Sequence, residues 1–170
     1  LSFNLLRFIN SAGFGLSVEI TSFRHALMIL GMNKLLRWAV LLMTTSTDGM
    51  PPALGTTAVV RGRLMELLAL ESLPQEEADE AFVVGIFSML DTMLSMSMES
   101  ALGLLSVPDA VSAALLRRKG YLGDLLTLVE ACESSDDAAF NHAASTVHLT
   151  SQQINGAHLQ ALAWADHVTE

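Results

Sequence analysis

Residues 74–93 of this 170-residue chain read PQEEADEAFVVGIFSMLDTM. Pro74 followed by a run of carboxylates is typical of a helix start, because proline fits the first turn and negative charge stabilises the positive end of the helix dipole. From Ala81 to Met93, apolar side chains recur at helical spacing. The stretch therefore predicts one long amphipathic helix, with Ser72 as its cap. Gly85 in mid-helix costs about 1 kcal/mol relative to Ala, which predicts a close contact with another helix there.

The same helical spacing recurs on both sides of this stretch, and no segment alternates as a half-buried strand would. Toward the N-terminus, short helices are predicted around Leu5–Ile9, Phe23–Leu30 and Asn33–Met43. The remaining predicted helices are Leu54–Leu70, Glu99–Leu105, Asp109–Arg118, Leu122–Cys132, Ala138–Val147 and Ser151–His167. We therefore predict an all-α fold, a single compact multi-helix bundle that spans residues 1–170.

The composition excludes disordered, disulfide-bonded and membrane-spanning classes of protein. Half of the residues are hydrophobic (51%) and only 16% are charged, whereas disorder requires low hydrophobicity. The single cysteine, Cys132, cannot form a disulfide framework. The charge-free stretch Ala138–Ala165 is long enough to cross a bilayer, but it contains many Asn, Gln, His, Ser and Thr residues. We therefore expect a buried core or an interface, no membrane contact and a cytoplasmic location.

Charge is unevenly distributed along the chain, which carries a net −9. Residues 1–63 carry a net +4 and residues 64–170 a net −13. Such asymmetry either marks a surface that faces a partner or only reflects the solvated faces of helices. The net negative charge argues against sequence-independent nucleic-acid binding, which depends on Lys and Arg. A helix-turn-helix within residues 1–43 would offer only Arg24 and His25 for base contacts.

No common catalytic or metal-binding motif is present. The chain has no phosphate-binding Gly-rich loop, no HExxH, no CxxC and no GxSxG. Cys132 lies beside Glu130 and Glu133, whose negative charges would raise the pKa of its thiol and weaken it as a nucleophile. Four histidines fall within the last thirty residues, but none forms the i, i+4 pair that places two imidazoles on one helix face; they are His142, His148, His158 and His167.

Four short segments of the N-terminal part form a recognisable pattern: Leu5–Ala12 (LLRFINSA), Ile20–Leu27 (ITSFRHAL), Leu30-Gly31 and Leu35–Trp38 (LLRW). In order and spacing they resemble the HDOD family. The second half of the chain, Phe82–Ala165, looks like the C-terminal module of bacterial EAL–HDOD signalling proteins. The resemblance implies an HD-domain-like helical bundle and an EAL domain, related to cyclic di-GMP phosphodiesterases, upstream of residue 1. Because the chain begins Leu1-Ser2-Phe3-Asn4, we expect it to be a piece of such a longer protein.

The resemblance also implies a lost metal site. Active HD hydrolases bind a divalent metal through adjacent His and Asp residues, and here Ser88 and Met89 occupy those positions. A hydroxyl and a thioether do not replace an imidazole and a carboxylate around a hard cation. Upstream, where those enzymes place another His, this chain has the cationic segment Arg61-Gly62-Arg63, and only Asp91 remains nearby. We therefore predict that the chain is not an enzyme and has no catalytic, cofactor-binding or metal-binding residues.

The resulting functional hypothesis is a non-catalytic signal-transduction domain linked to cyclic di-GMP through the upstream EAL domain. It would contact a protein partner, the EAL domain of the same chain, or both, and it needs no cofactor. Methionines 89, 93, 96 and 98 could form part of a contact surface, although at helical spacing Met89 and Met93 fit a core better. Two alternatives stay open: a residual metal-dependent phosphohydrolase, and a nucleic-acid-binding regulatory domain that uses the positive N-terminal part. The sequence leaves the oligomeric state open.

Overall fold

The computed structural model describes residues 52–103 and 107–169, and every regular element in these two ranges is an α-helix. The helices predicted within residues 1–43, and the segments that carry the family resemblance, lie outside the described residues. The eight described helices are α1 (Pro52–Ala69), α2 (Gln75–Phe87), α3 (Leu90–Leu94), α4 (Met98–Gly103), α5 (Asp109–Arg117), α6 (Gly120–Glu133), α7 (Asp137–Thr146) and α8 (Ser151–Thr169). The predicted all-α class is confirmed.

Helix α1 lies at the centre of the described bundle, where α2, α6 and α8 all pack against it. Between residues 54 and 69 no side chain of α1 is fully exposed, because neighbours cover it on several sides. Helix α2 packs in turn against α5 and α6. The largest fully buried side chains come from three of these helices: Leu64, Met65, Leu68, Phe82, Ile86, Leu125, Leu126 and Leu128.

Helices α1 and α2 touch backbone to backbone at a pair of glycines. A Cβ atom on Gly85 would lie 2.6 Å from both the Arg61 carbonyl oxygen and the Gly62 Cα. A Cβ on Gly62 would lie 2.6 Å from Cγ1 of Ile86. Since real Cβ atoms do not approach other atoms this closely, both positions require glycine at this helix separation. The close contact predicted at Gly85 is confirmed.

The prediction of a single helix that extends to Met93 is wrong, because α2 ends at Phe87. The amide of Ser88 still donates to the Val84 carbonyl, but the amide of Met89 turns to the Ile86 carbonyl. The Ser88 hydroxyl donates to the Gly85 carbonyl at 2.6 Å, which competes with helical bonding in the last turn of α2. A second helix, α3, then starts at Leu90.

Within the described residues, the other predicted helices are found with ends that differ by no more than two residues. Ser72 does not cap α2, whose first turn follows Pro74 directly. Asp136 caps α7 by accepting the amides of Ala138 and Ala139, both at 3.0 Å. Among the described helices, none is long and apolar enough to cross a bilayer.

We predict that Gly85→Ala lowers the free energy of unfolding by about 1–3 kcal/mol, because the added methyl group meets backbone atoms of α1 that cannot move aside. Urea unfolding followed by circular dichroism measures this loss. Gly156→Ala in α8 is the matched control, since its Cβ would meet nothing within 4 Å. There the higher helix propensity of Ala should stabilise the chain by up to about 1 kcal/mol. Equal effects at the two positions would contradict the close packing at Gly85.

Candidate functional site

The structure brings together two segments that the sequence comparison with HD hydrolases singled out, Arg61–Arg63 and the segment that contains Ser88 and Met89. Arg61 projects from α1 toward the end of α2, and its Nη1 atom donates to the Ser88 hydroxyl oxygen at 3.0 Å. The glycine contact one residue along α1 makes this possible, because it draws the two helix backbones together at this level. The two segments therefore form one site, although 27 positions separate the two side chains in the sequence.

A third partner of this site, Glu133, comes from the last residue of α6. Nε of Arg61 donates to Oε1 of Glu133 at 2.7 Å, and Nη2 donates to Oε2 at 2.6 Å. Two parallel charge-assisted hydrogen bonds of this kind fix both position and orientation of a guanidinium. The Arg61 side chain is 13% exposed and that of Glu133 is 36% exposed, so the pair lies at the edge of the core. Arg61 thus links α1, the end of α2 and the end of α6.

The surroundings of Arg61 keep its guanidinium charged. The hydrogen bonds to Glu133 raise the pKa of Arg61, against the opposing effect of burial. The negative charges of Glu133, Glu130 and Asp91 raise it further. A guanidinium in this state donates hydrogen bonds and does not accept a proton, so in this site it acts as a fixed cation.

Arg63 makes a different contact from Arg61, although both belong to the cationic segment Arg61–Arg63. Residues two apart on a helix point in different directions, and Arg63 turns toward α8. Its guanidinium carbon lies 5.5 Å from the ring centroid of Trp164, and its Nη1 donates to the buried carboxylate of Glu66 at 2.5 Å. The Trp164 ring meets that of Phe82 edge-on at 6.2 Å. Arg63 is therefore part of the packing between α1, α2 and α8.

Met89 and Asp91 take no direct part in the Arg61 contacts. Met89 is half-buried and packs against the core, as its helical spacing indicated. Asp91 accepts the amide of Thr92 at 2.7 Å and influences Arg61 only through its charge. Glu133 carried no signal of its own in the sequence beyond its place next to Cys132, and 72 positions separate it from Arg61.

A pocket of about 250 Å³ lies at the end of α6, between α6, α7 and α8. Its lining includes Cys132, Asp136, Asn155 and His158. Burial raises the pKa of the Cys132 thiol, and the charge of Glu133 adds to this effect. The predicted direction of that shift is confirmed, and a raised pKa leaves less of the reactive thiolate near neutral pH.

Across residues 52–103 and 107–169, no group of three or more His, Cys, Asp or Glu side chains is placed to hold a metal ion. His142 and His148 are exposed, and His158 is half-buried beside the pocket. The prediction that the chain has no catalytic, cofactor-binding or metal-binding residues stays a prediction.

Two curated proteins are similar to this chain. The cyclic di-GMP phosphodiesterase CdgJ of Vibrio cholerae is 36% identical over 137 residues, which cover 80% of this chain and 32% of CdgJ. The uncharacterized protein YuxH of Bacillus subtilis is 28% identical over 174 aligned positions, which cover 100% of this chain and 42% of YuxH. The chain thus spans less than half the length of either relative. No solved structure matches the chain.

The similarity to CdgJ contradicts the prediction that the chain is not an enzyme, because a relative 36% identical over four-fifths of the chain is named a phosphodiesterase. That prediction relied on Ser88 and Met89 standing where HD hydrolases have His and Asp. The presence of Ser88 and Met89 concerns only one type of metal site, in one segment of the chain. The residues of one segment do not decide what a protein about two and a half times as long as this chain catalyses.

We predict that Arg61→Ala lowers the free energy of unfolding by about 1–2 kcal/mol, because it removes the paired hydrogen bonds to Glu133 and the one to Ser88. A double-mutant cycle with Glu133→Ala, measured by urea unfolding, should give a coupling of about 1 kcal/mol. Arg117→Ala, at an exposed arginine in the last turn of α5, is the control and should change stability by less than about 0.5 kcal/mol. A coupling of zero between positions 61 and 133 would refute the link.

We predict that Cys132 in the folded chain reacts more slowly with iodoacetamide at pH 8 than it does in urea. Its raised pKa lowers the thiolate fraction, and its partial burial limits access. The rate should keep rising with pH beyond the point at which the unfolded thiol levels off. Mass spectrometry of the alkylated chain measures both rates, and a folded rate equal to the unfolded one would contradict the raised pKa.

The sequence profile of the HDOD domain matches residues 1–98, more than half of the chain. This range includes all four segments that carry the resemblance, together with α1, α2 and the contact between Arg61 and Ser88. The all-α fold of the described residues agrees with it. This chain therefore belongs to the HDOD family.

Proposed function

We propose that this chain acts in bacterial cyclic di-GMP signalling, as the signal-transduction and protein-contact domain of a longer protein that has phosphodiesterase activity. In this proposal an EAL domain precedes residue 1 in the cytoplasmic protein. The HDOD domain contacts that EAL domain, a separate protein, or both.

The observation that carries the proposal is the similarity to CdgJ, which extends over 80% of this chain. The similarity exceeds the match to the HDOD profile alone, because it involves 137 residues whereas the profile matches residues 1–98. Since the chain spans 32% of CdgJ, a larger part of that protein lies outside the similarity. An additional domain in the longer protein fits these proportions.

The contacts of Arg61 support a role in passing on a structural change. Arg61 holds α1, the end of α2 and the end of α6 together through three hydrogen bonds. Helix α1 in turn packs against α8 through the contact of Arg63 with Trp164. A partner that displaces α6 or α8 would therefore move the central helix, because packed helices shift as units.

The proposal predicts that the natural protein that contains this chain hydrolyses cyclic di-GMP, and that deletion of residues 1–170 changes the rate by about fivefold or more. Chromatography of the nucleotide products measures the rate. The same assay on the 170-residue chain alone shows whether these residues catalyse the reaction by themselves. Arg61→Lys in the natural protein keeps the charge but loses the paired geometry, so it should shift the rate in the same direction as the deletion.

Arg117→Lys in the natural protein is the matched control, because Arg117 is exposed; its rate should equal that of the unmodified protein. A natural protein that leaves cyclic di-GMP intact would contradict the proposed activity. A coding sequence without an EAL-type segment before Leu1 would contradict the proposed domain order. An unchanged rate after deletion would contradict the signal-transduction role.

A further inference from the structure

Helix α8 carries a second apolar face besides the one that packs against the bundle. One face packs against the bundle through Ile154, Ala157, Ala161 and Ala165, all of which are buried. The other presents Leu159 and Leu162 to solvent: Leu159 is 69% exposed and Leu162 is 44% exposed. Leu159 is the most exposed large hydrophobic residue in the described part of the chain.

The outward face has the spacing of a coiled-coil seam. Gln152, Asn155, Leu159, Leu162 and Asp166 follow one another at alternating steps of three and four, and all are exposed. This is the repeat that keeps one stripe of a helix facing a partner helix over its length. Gly156 and Ala163 flank the stripe, and a Cβ on Gly156 would meet no atom within 4 Å. A second helix could therefore approach α8 closely.

The seam is also nearly free of charge, in a chain of net charge −9. From Ser151 to Ala165, α8 contains no Asp, Glu, Lys or Arg. The carboxylates of Asp136 and Asp137 line the pocket beside Asn155, and Asp136 is engaged by the amides at the start of α7. A two-fold interface brings the same patch of each subunit together, so a charged patch would repel itself. The uncharged face of α8 avoids this repulsion between two copies of an acidic chain.

We propose that α8 pairs with α8 of a second copy of this chain, in antiparallel orientation about a two-fold axis between Leu159 and Leu162. Leu159 of each copy then packs against Leu162 of the other, and Asn155 lies opposite Asp166. The Asn155 amide can donate a hydrogen bond to that carboxylate. A parallel pair would instead place two Asp166 carboxylates against each other. The hydrogen bond from Asn155 to Asp166 therefore favours the antiparallel pair over the parallel one.

The length of the seam sets the expected strength of the pair. A helix of 19 residues is about 28 Å long, so two such helices bury an area at the low end of the range for specific interfaces. We expect a dissociation constant on the order of 10–100 µM. Sedimentation equilibrium from about 1 µM to about 1 mM should therefore show a transition from 18.3 kDa to twice that mass.

Charge-bearing variants of the two leucines test the pairing and its orientation. Leu159→Glu should weaken the dimer by about 100-fold or more, because each dimer loses two leucine contacts. Leu162→Lys should weaken it to a similar extent. An equal mixture of the two variants should form mixed dimers, since Glu at 159 then faces Lys at 162 of the other copy, and the second leucine pair stays intact. Circular dichroism should show that both variants keep the helix content of the unmodified chain.

Leu94→Glu in α3 is the matched control, because Leu94 is 39% exposed and lies outside α8; this variant should dimerise like the unmodified chain. A chain that stays monomeric at every concentration overturns the proposal and leaves the seam to another protein or to another part of the longer chain. A dimer that Leu159→Glu does not weaken also overturns it, since the pairing then uses another surface. Loss of the dimer in both variants without recovery in the mixture overturns the antiparallel arrangement.

Discussion

The backbone contact between α1 and α2 at Gly62 and Gly85 is the constraint on which the described structure depends. Helices that carry ordinary side chains at their crossing stay about 8–10 Å apart, and a pair of glycines allows a closer approach. Helix α1 is the central element, so its position against α2 decides where α6 and α8 can pack. The same contact brings the Arg61 guanidinium within hydrogen-bond distance of Ser88.

The Arg61 site shows how one cationic side chain can connect three helices. Its bonds to Ser88 and Glu133 span three helices, and the negative charges of Glu133, Glu130 and Asp91 balance its positive charge. An arginine differs from a bound ion in one respect: it is tethered to α1, so it can transmit displacement of that helix but cannot leave. This property suits a domain that responds to contacts, which is the role that the proposed function assigns to it.

Much of the fold could be predicted from the sequence, because its signals are local. Apolar spacing located the described helices, and the mid-helix Gly85 indicated the close contact that the structure contains. The break after Phe87 could not be predicted, since it depends on the Ser88 hydroxyl and on the distant Arg61 side chain. Glu133 was missed as a site residue for the same reason. The prediction about enzymatic activity failed differently, because it extended the chemistry of one segment to the whole protein.

The sequence distance between Arg61 and Glu133 has a kinetic consequence. Only five residues separate α1 from α2, so their contact closes a short loop and can form early. The bond between Arg61 and Glu133 closes a loop of 72 positions and needs α6 in place first. We therefore expect it to be absent from the folding transition state, so that its main effect is to slow unfolding while the rate of folding stays nearly the same without it. The link thus lengthens the lifetime of the folded domain.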